Sequence, residues 1–432
     1  MKTKLILILS TLLINAALRS ESCQSSKELE DPIFEKFCKN PTSVICDSKN
    51  FKSNQKSIRR IALKPFYETI ESSVDLFKIH GINELDTSQF FDFDIKMFNR
   101  CGSQEEIPKT CGWGEINSKL DTVLNKYLEK EEQVIKLKEN LFAEYYQRQQ
   151  QHLSDIIEPK EDLLEDIFNS SIETFSTSIK NHLSKQYSGK QKEEKIKSAL
   201  ELLNRIKPLF SLNPKAEARF KDSYDFARDG FIRNCTYYGV FGSAFVPGQK
   251  LSELPHNIPV TFCPSFMAEI YNKENIEDHR DEIFFKMLMV ITHELGHLFG
   301  HEKHMVISPK RASETILCMA NHYPGSWLTK GILIDYKDEI MADIFAADSI
   351  SRELENRSYS KMKKLRLLTS SYKILCGTKD DGVHPSGSFR LNEILLREPG
   401  IFKMFGCKKF YRKQNLYSCS EHKPKLLRFP NP

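Results

Sequence analysis

The sequence predicts a mainly α-helical protein of the α+β class with two lobes, and three observations support this. Residues 115–215 carry apolar side chains at the spacing of amphipathic helices. Aromatic and β-branched residues then become frequent, and Thr236–Val246 and Ile258–Phe262 have the pattern of strands. From residue 281 onward the pattern is that of long helices joined by loops. We therefore expect a helical lobe over 115–215 and a second lobe, 216–432, that combines helices with a small sheet.

Amphipathic stretches account for the helical lobe. Pro159, Pro208 and Pro214 punctuate them, as expected where helices end. No stretch holds a heptad pattern for about three or four repeats, so the apolar stripes predict core packing rather than a coiled coil. The stripes are Ile116, Leu120, Val123 and Tyr127; Val134, Leu137, Leu141 and Tyr145; Leu164, Ile167, Phe168, Ile172, Phe175 and Ile179; and Ile196, Leu200, Leu203 and Ile206.

The N-terminus has the pattern of a secretory signal. A basic start precedes the apolar run Leu5–Leu18, and small or polar residues follow up to Ser22. The run is shorter than the roughly 20 residues that a membrane-spanning helix needs. We therefore expect residues 1–22 to be removed, no membrane span afterwards, and a secreted or periplasmic protein. Lipid attachment at Cys23 is the lesser alternative.

Eleven cysteines are typical of a protein that folds under oxidising conditions. Several of them bracket short helical or irregular pieces within residues 23–114. No Cys-x-x-Cys pair occurs, so the pattern predicts disulfides rather than a metal bound by cysteine. The odd number implies one free or modified thiol.

Charge excludes one class of partner. Lys and Arg total 63 against 58 Asp and Glu, which leaves a formal net charge of +5 spread over a long chain. No dense basic run interleaved with aromatic residues occurs. The sequence therefore predicts no nucleic-acid partner.

Two histidines four residues apart, His293 and His297, are the strongest functional signal. On a helix both imidazoles project from one face and can bind one zinc ion, while Glu294 lies beside the metal-bound water. The apolar run Ile283–Ile291 predicts that the helix is buried and the site rigid. We expect one zinc ion per chain, with two of its ligands here.

A third protein ligand is needed, because a catalytic zinc takes three and keeps one position for water. Histidine ten residues after His293 would indicate a metzincin, but that position is Lys303. His301 would share a helix with His293 and His297 and cannot easily complete a tetrahedron. His301 and His304 remain the less favoured ligands, and a surface or supporting role fits them better.

Glu339 is the favoured third ligand. Glu339 and Asp343 are four residues apart, so a second helix can place one carboxylate on zinc and the next against the free ring nitrogen of a liganding histidine. The apolar neighbours Ile340 and Met341 argue against an ordinary solvated acidic face. The small side chain of Ala342 permits a close approach between the two helices.

A series of short sequence motifs in the last third of the chain resembles those of a known family. The motifs are Cys318-Met319 with Trp327, Cys376-Gly377-Thr378, Val383-His384-Pro385-Ser386-Gly387-Ser388-Phe389-Arg390, Asn392-Glu393, and Phe402–Phe405 with Cys407. In this order, with the two metal motifs, they resemble the neprilysin and endothelin-converting-enzyme family of zinc peptidases. The resemblance covers about residues 281–419.

The resemblance implies a gluzincin with a thermolysin-like catalytic lobe, acting as a zinc metalloendopeptidase on extracytoplasmic peptides or proteins. It also implies that the N-terminal region is tied to the catalytic lobe. The implied roles are His293, His297 and Glu339 as zinc ligands, Glu294 as general base, Asp343 as the carboxylate behind a ligand, His384 as oxyanion donor and Arg390 as the holder of a substrate carbonyl. The implied disulfides join Cys38 or Cys46 to Cys376 and Cys407, and Cys318 to Cys419.

The chain also departs from the family pattern. No clear Asn-Ala-x-Tyr phrase precedes the first histidine, although Ala244–Val246 or Asn257–Phe262 could supply the substrate-binding strand. Ile340 replaces the usual asparagine, and the chain is far shorter than full-length members. Another secreted gluzincin, such as a prenyl-protease-type enzyme, and a catalytically silent zinc-stapled binding protein are the alternatives. The sequence predicts no oligomeric state.

Overall fold

The computed structural model describes residues 32–47, 69, 72, 74–79, 82, 121–138, 140–141, 144, 147–148, 160–232, 244–245, 255–263, 266–267, 279–300, 337–378 and 384–407. The predicted signal, Cys23 and the predicted Cys318–Cys419 disulfide lie outside these residues.

Helices make up most of the described chain, which confirms the mainly α prediction. The α-helices are α1 Pro41–Ile45, α2 Val74–Ile79, α3 Glu161–Gln186, α4 Gly189–Arg205, α5 Pro214–Arg219, α6 Tyr224–Ile232, α7 Arg280–Gly300, α8 Lys337–Asn356, α9 Lys361–Tyr372, α10 Gly387–Phe389 and α11 Pro399–Met404. Residues 32–39 and 131–138 are also helical. A 3₁₀ turn spans Lys373–Leu375, a π-helical turn Arg390–Ile394, and a second 3₁₀ turn Leu395–Arg397. The strands are β1 Ile206–Leu209, β2 Ala244–Phe245 and β3 Ile258–Phe262.

The third apolar stripe of the predicted helical lobe forms the buried face of α3. Glu161 and Asp162 stand in its first turn, where negative charge is favourable because of the helix dipole. Phe168 and Phe175 are fully buried and share one hydrophobic core with α7, α8 and α9. The α3 helix therefore packs directly against the elements that carry the metal motifs.

The prediction that Ile206 ends a helical stripe is wrong. The helix ends at Arg205, and Ile206 begins β1, which pairs in parallel with β3 in the register Ile206↔Ile258. Pro208 explains the change, since proline cannot continue a helix and lacks an amide donor. It is tolerated because β1 is an edge strand in the order β1-β3-β2.

The small sheet confirms the strand predicted over Ile258–Phe262, and every residue of that strand is buried. Ala244–Phe245 pairs antiparallel with it and is the part of the other predicted strand that the structure describes. In the sequence, β1 precedes the predicted lobe boundary near residue 215 and β3 follows it, although the two strands pair in one sheet.

A close contact between α7 and α8 lies at the centre of the core. A β-carbon added at Gly296 would lie 2.6 Å from the Cα atom of Ala342. Only glycine permits this approach, because the obstacle is backbone rather than a movable side chain. The neighbouring side chains Leu295, Met341 and Phe345 are buried, and each buried side chain of this size contributes roughly 1.5–3 kcal/mol.

Two disulfides join the N-terminal residues to the C-terminal part of the described chain. They are Cys38–Cys407 and Cys46–Cys376. The predicted pairing of Cys38 or Cys46 with Cys376 and Cys407 is confirmed, and the structure selects one of the two arrangements. Such long-range cross-links suit an oxidising compartment.

The ring of Phe405 packs against the rings of Phe34 and Phe37, at centroid distances of 5.9 and 5.0 Å. The N-terminal residues are therefore held by apolar contacts as well as by disulfides. Among the described helices, none is both long and apolar enough to cross a membrane.

Candidate metal centre

Two helices bring together three side chains of types that can ligate a metal ion. The Nε2 atoms of His293 and His297, one turn apart on α7, lie 3.2 Å from each other. Glu339, in the first turn of α8, faces both rings: Oε2 lies 3.4 Å from Nε2 of His293 and Oε1 lies 3.3 Å from Nε2 of His297. His293 and Glu339 are 8% and 7% exposed. This buried group could hold a metal ion.

The residues present fit a bound cation. Oε2 of Glu339 is buried and forms no hydrogen bond with a donor in the described part of the chain. Nitrogen and oxygen atoms converge from three side chains, and buried acceptors of this kind are costly without a donor or a cation. The Gly296–Ala342 contact explains how the two helices come close enough for one ion to reach both.

Asp343 lies one turn after Glu339 on α8 and stands behind the site. Its Oδ1 atom is 2.9 Å from Nδ1 of His293. A carboxylate at this ring nitrogen orients the imidazole and selects the tautomer that presents Nε2 to a metal.

Arg390 is buried and binds Asp343 with two nitrogen atoms. Nε donates to Oδ2 at 2.7 Å and Nη2 donates to Oδ1 at 2.6 Å. Nη2 also lies 3.5 Å from Nδ1 of His293. These described contacts place Arg390 behind the metal group, and its role toward a substrate carbonyl stays a prediction.

His384 approaches the group from the solvent side. Its Nε2 atom lies 3.3 Å from Oε1 of Glu339, and its side chain is 47% exposed. The side chain of His297 is 24% exposed, whereas that of His293 is 10% exposed. The site is therefore open along the side that carries His297 and His384.

Glu294 directly follows His293 on α7 and is half-buried. It is thus held on the same rigid helix as the two histidines, with part of its side chain accessible to water. The less favoured ligands His301 and His304 lie outside the described residues.

Electrostatics in the site favour one positive charge on the two histidines and disfavour a second. Burial opposes protonation of His293, but the adjacent carboxylates of Asp343 and Glu339 raise its pKa to about 9. Burial and the neighbouring His293 lower the pKa of His297 to about 4. Near pH 7, His293 therefore carries the extra proton and the positive charge, whereas His297 is neutral. A metal ion binding here competes with that proton, so affinity for the ion depends on pH.

The two carboxylates of the site, Glu339 and Asp343, carry negative charge that offsets the charge of the cations around them. Burial opposes ionisation of Glu339, but the adjacent histidines outweigh it and lower the pKa of this carboxyl group. Burial also opposes ionisation of Asp343, but Arg390 and His293 outweigh it and lower its pKa. Both are therefore anionic at neutral pH, as metal ligation and histidine orientation require.

Sequence reasoning missed Tyr372. Its hydroxyl is buried in α9 and has no hydrogen-bond partner in the described part of the chain. Burial raises its pKa well above the ordinary value, and the charge of Asp343 adds to the rise. No local pattern marks this residue, because its place beside the Asp343–Arg390 pair depends on how α9 packs.

Comparisons with protein-family models, with curated proteins and with solved structures find no match to this chain. The functional argument therefore depends on the site itself. The structure brings His293, His297, Glu339, Asp343, His384 and Arg390 into one connected cluster, with Glu294 next to its first member.

Proposed function

We propose that this protein is a zinc-dependent metallopeptidase that hydrolyses peptide bonds of extracytoplasmic oligopeptides or proteins. The supporting observation is the convergence of His293, His297 and Glu339 at a site with one open side, with Glu294 beside it and His384 at the opening. A site with three protein ligands and an open position is typical of catalytic rather than structural zinc.

Distances support zinc as the ion. Nitrogen and oxygen ligands lie about 2.0–2.1 Å from zinc, so two ligands of a tetrahedral site are about 3.3 Å apart. The nearest atoms of the three side chains are separated by 3.2, 3.3 and 3.4 Å, with one carboxylate oxygen facing each imidazole. Two imidazoles and one carboxylate also suit zinc better than magnesium or calcium, which prefer oxygen ligands.

Zinc, when bound, would lower the pKa of a water molecule and polarise the scissile carbonyl group. Glu294 takes the proton from the attacking water and passes it to the leaving amine. His384 donates a hydrogen bond to the oxygen atom on which negative charge develops, and one such donor contributes about 2.7–4 kcal/mol. Asp343 keeps His293 in the ligating tautomer, and Arg390 keeps Asp343 ionised and in place.

The exposure of the side chains suggests the direction from which substrate enters. His384 and His297 are the more exposed members of the cluster, whereas Glu339 and Asp343 are buried. A peptide therefore reaches the site from the side of His384, which places its carbonyl oxygen within reach of that imidazole. The disulfides Cys38–Cys407 and Cys46–Cys376 support action outside the cytoplasm.

The test is metal analysis together with peptide hydrolysis by the oxidised protein. We expect one zinc ion per chain and cleavage of a mixed-length peptide library. Activity should disappear with a chelator and return when zinc is added. Zinc bound at full occupancy without cleavage of any peptide would instead support the silent, zinc-stapled binding protein, and absence of zinc would reject both.

A further inference from the structure

Two members of the cluster, His384 and Arg390, lie between the disulfide cysteines Cys376 and Cys407. We call residues 376–407 the site segment and residues 32–47 the N-terminal clamp. Both ends of the site segment are bonded to the clamp. The chain turns sharply at each end, since Gly377 (φ 77°) follows the first cysteine and Gly406 (φ 70°) precedes the second.

The clamp also holds the middle of the site segment. Oδ1 of Asn392 accepts hydrogen bonds from the backbone amide of Thr42, at 3.2 Å, and from the Thr42 hydroxyl, at 3.1 Å. Pro41 opens α1 after the cap residue Asn40, so the Thr42 amide belongs to the first turn, where amides have no acceptor inside the helix. Asn392 supplies that acceptor from 350 residues away.

Asn392 stands two residues after Arg390 within the π-helical turn Arg390–Ile394. Arg390 anchors the turn to Asp343, while Asn392 anchors it to the clamp. The turn is linked backward to His384 through Ser386, whose carbonyl accepts from the Arg390 amide at 3.0 Å. A displacement of this turn therefore moves Arg390 and His384 together.

We propose that Thr42, acting through Asn392, is a positioning residue that holds His384 and Arg390 against the metal group. This inference depends on the proposed peptidase function for its kinetic consequence. The N-terminal clamp is then part of the active-site architecture, although it touches neither metal nor substrate. The two hydrogen bonds from Thr42 to Asn392 set the distance of the π-helical turn from the metal group. The disulfides fix only the ends of the site segment.

The kinetic test replaces the hydroxyl while leaving the disulfides intact. Thr42→Val and Asn392→Leu should each lower kcat by about five- to tenfold, the effect of losing one or two ordinary hydrogen bonds, with KM and zinc content unchanged. Thr42→Ser keeps the hydroxyl and should restore the wild-type rate. The Thr42→Val/Asn392→Leu double variant should be no slower than Asn392→Leu alone, because both changes break one contact.

Ser43→Ala is the matched control. Its hydroxyl also bonds within α1, to the carbonyl of Asn40, but it does not reach the site segment. An equal loss of kcat in Ser43→Ala, or no rescue by Thr42→Ser, would reduce Thr42 to a merely structural role and overturn the proposal.

Amide hydrogen exchange separates this inference from the proposed function. If the wild-type protein cleaves no peptide, faster exchange over residues 384–394 in Thr42→Val, with exchange in α7 unchanged, still supports positioning by the clamp. Unchanged exchange over residues 384–394 in both Thr42→Val and Asn392→Leu would overturn it.

Discussion

His293, His297 and Glu339 stand on two long buried helices, whereas His384 and Arg390 stand on short turns between two disulfide cysteines. The helices are fixed by continuous apolar packing and by the contact of Gly296 with Ala342. The turns are fixed by cross-links, by single hydrogen bonds and by the ion pair to Asp343.

This difference teaches that one site can combine two levels of rigidity. Metal ligands need the precision that packed helices provide, since even small shifts change the coordination geometry. His384, the group proposed to meet the substrate, stands on a segment that is held from outside the helical core. Substitutions that disturb the helices, the turns or the ion pair between them test this comparison, and those with the largest expected effects come first.

Asp343 joins the two regions, so Asp343→Asn should have the largest effect. The change weakens the partner of His293 and leaves the buried Arg390 guanidinium without its counter-charge. We expect a loss of about 3–5 kcal/mol in unfolding free energy. We also expect zinc affinity to fall by about 10–100-fold.

Denaturant unfolding and zinc titration measure these two quantities. Asp338→Asn, on the same helix, is the matched control. Wild-type zinc affinity in Asp343→Asn would show that the carboxylate behind His293 does not orient it.

Removing a disulfide disturbs the turns that carry His384 and Arg390 without changing the two metal-motif helices. Replacing Cys46 and Cys376 together by serine should lower the unfolding free energy by about 2–5 kcal/mol, because the bond restricts the unfolded chain even when Cys38–Cys407 is intact. Peptide turnover should fall while zinc stays bound at low temperature. Zinc affinity that falls in step with turnover would contradict the separation of the two regions.

Gly296→Ala tests the helix pair. The added β-carbon would meet backbone of Ala342 at 2.6 Å, so the helices must move apart. We expect a cost of about 1–3 kcal/mol in stability, together with weaker zinc binding.

Gly230→Ala is the matched control, since a β-carbon there meets nothing within 4 Å. This control lies in α6 and should gain up to about 1 kcal/mol, as expected for alanine in place of glycine in a helix. Unchanged zinc affinity in Gly296→Ala would show that the close contact is not what sets the ligand spacing.

Glu398 tests how the site segment responds to pH. Burial raises its pKa to about 7 from 4.5, and its carboxylate caps α11 by accepting from the Ile401 amide. The pKa of Glu398 is higher in the folded than in the unfolded protein, so its protonated form favours folding. This contribution to the unfolding free energy is complete below pH 4.5 and is lost as pH rises through about 7.

Unfolding free energy should therefore fall by about 1–2 kcal/mol between pH 5 and pH 8, after allowance for partial exposure. Glu398→Gln should remove this part of the slope, while the same substitution at the exposed Glu201 of α4 serves as control. An identical slope in Glu398→Gln and the wild type would reject the assignment.

Sequence alone could predict the faces of α7 and α8, because a four-residue spacing places His293 with His297 and Glu339 with Asp343 on any helix. The prediction that these two helix faces meet came from the need of a catalytic zinc for three protein ligands and from the family resemblance. The same resemblance named the cysteines of both disulfides but not their partners.

Long-range packing accounts for what was missed. Ile206 fits a helical stripe, yet Pro208 and the neighbouring β3 place it in a strand. The contact between Thr42 and Asn392 and the burial of Tyr372 beside Asp343 have no local sequence pattern, since each depends on where distant elements pack.

The measurement that tests the central claim most directly compares the wild-type protein with Glu294→Gln for zinc content and for hydrolysis of a peptide library. The account predicts one zinc ion per chain in both proteins and a loss of about 10²–10⁴-fold in hydrolysis in the variant, since only the proton transfer is removed. Equal hydrolysis by the two proteins, or zinc in both with hydrolysis by neither, would contradict it.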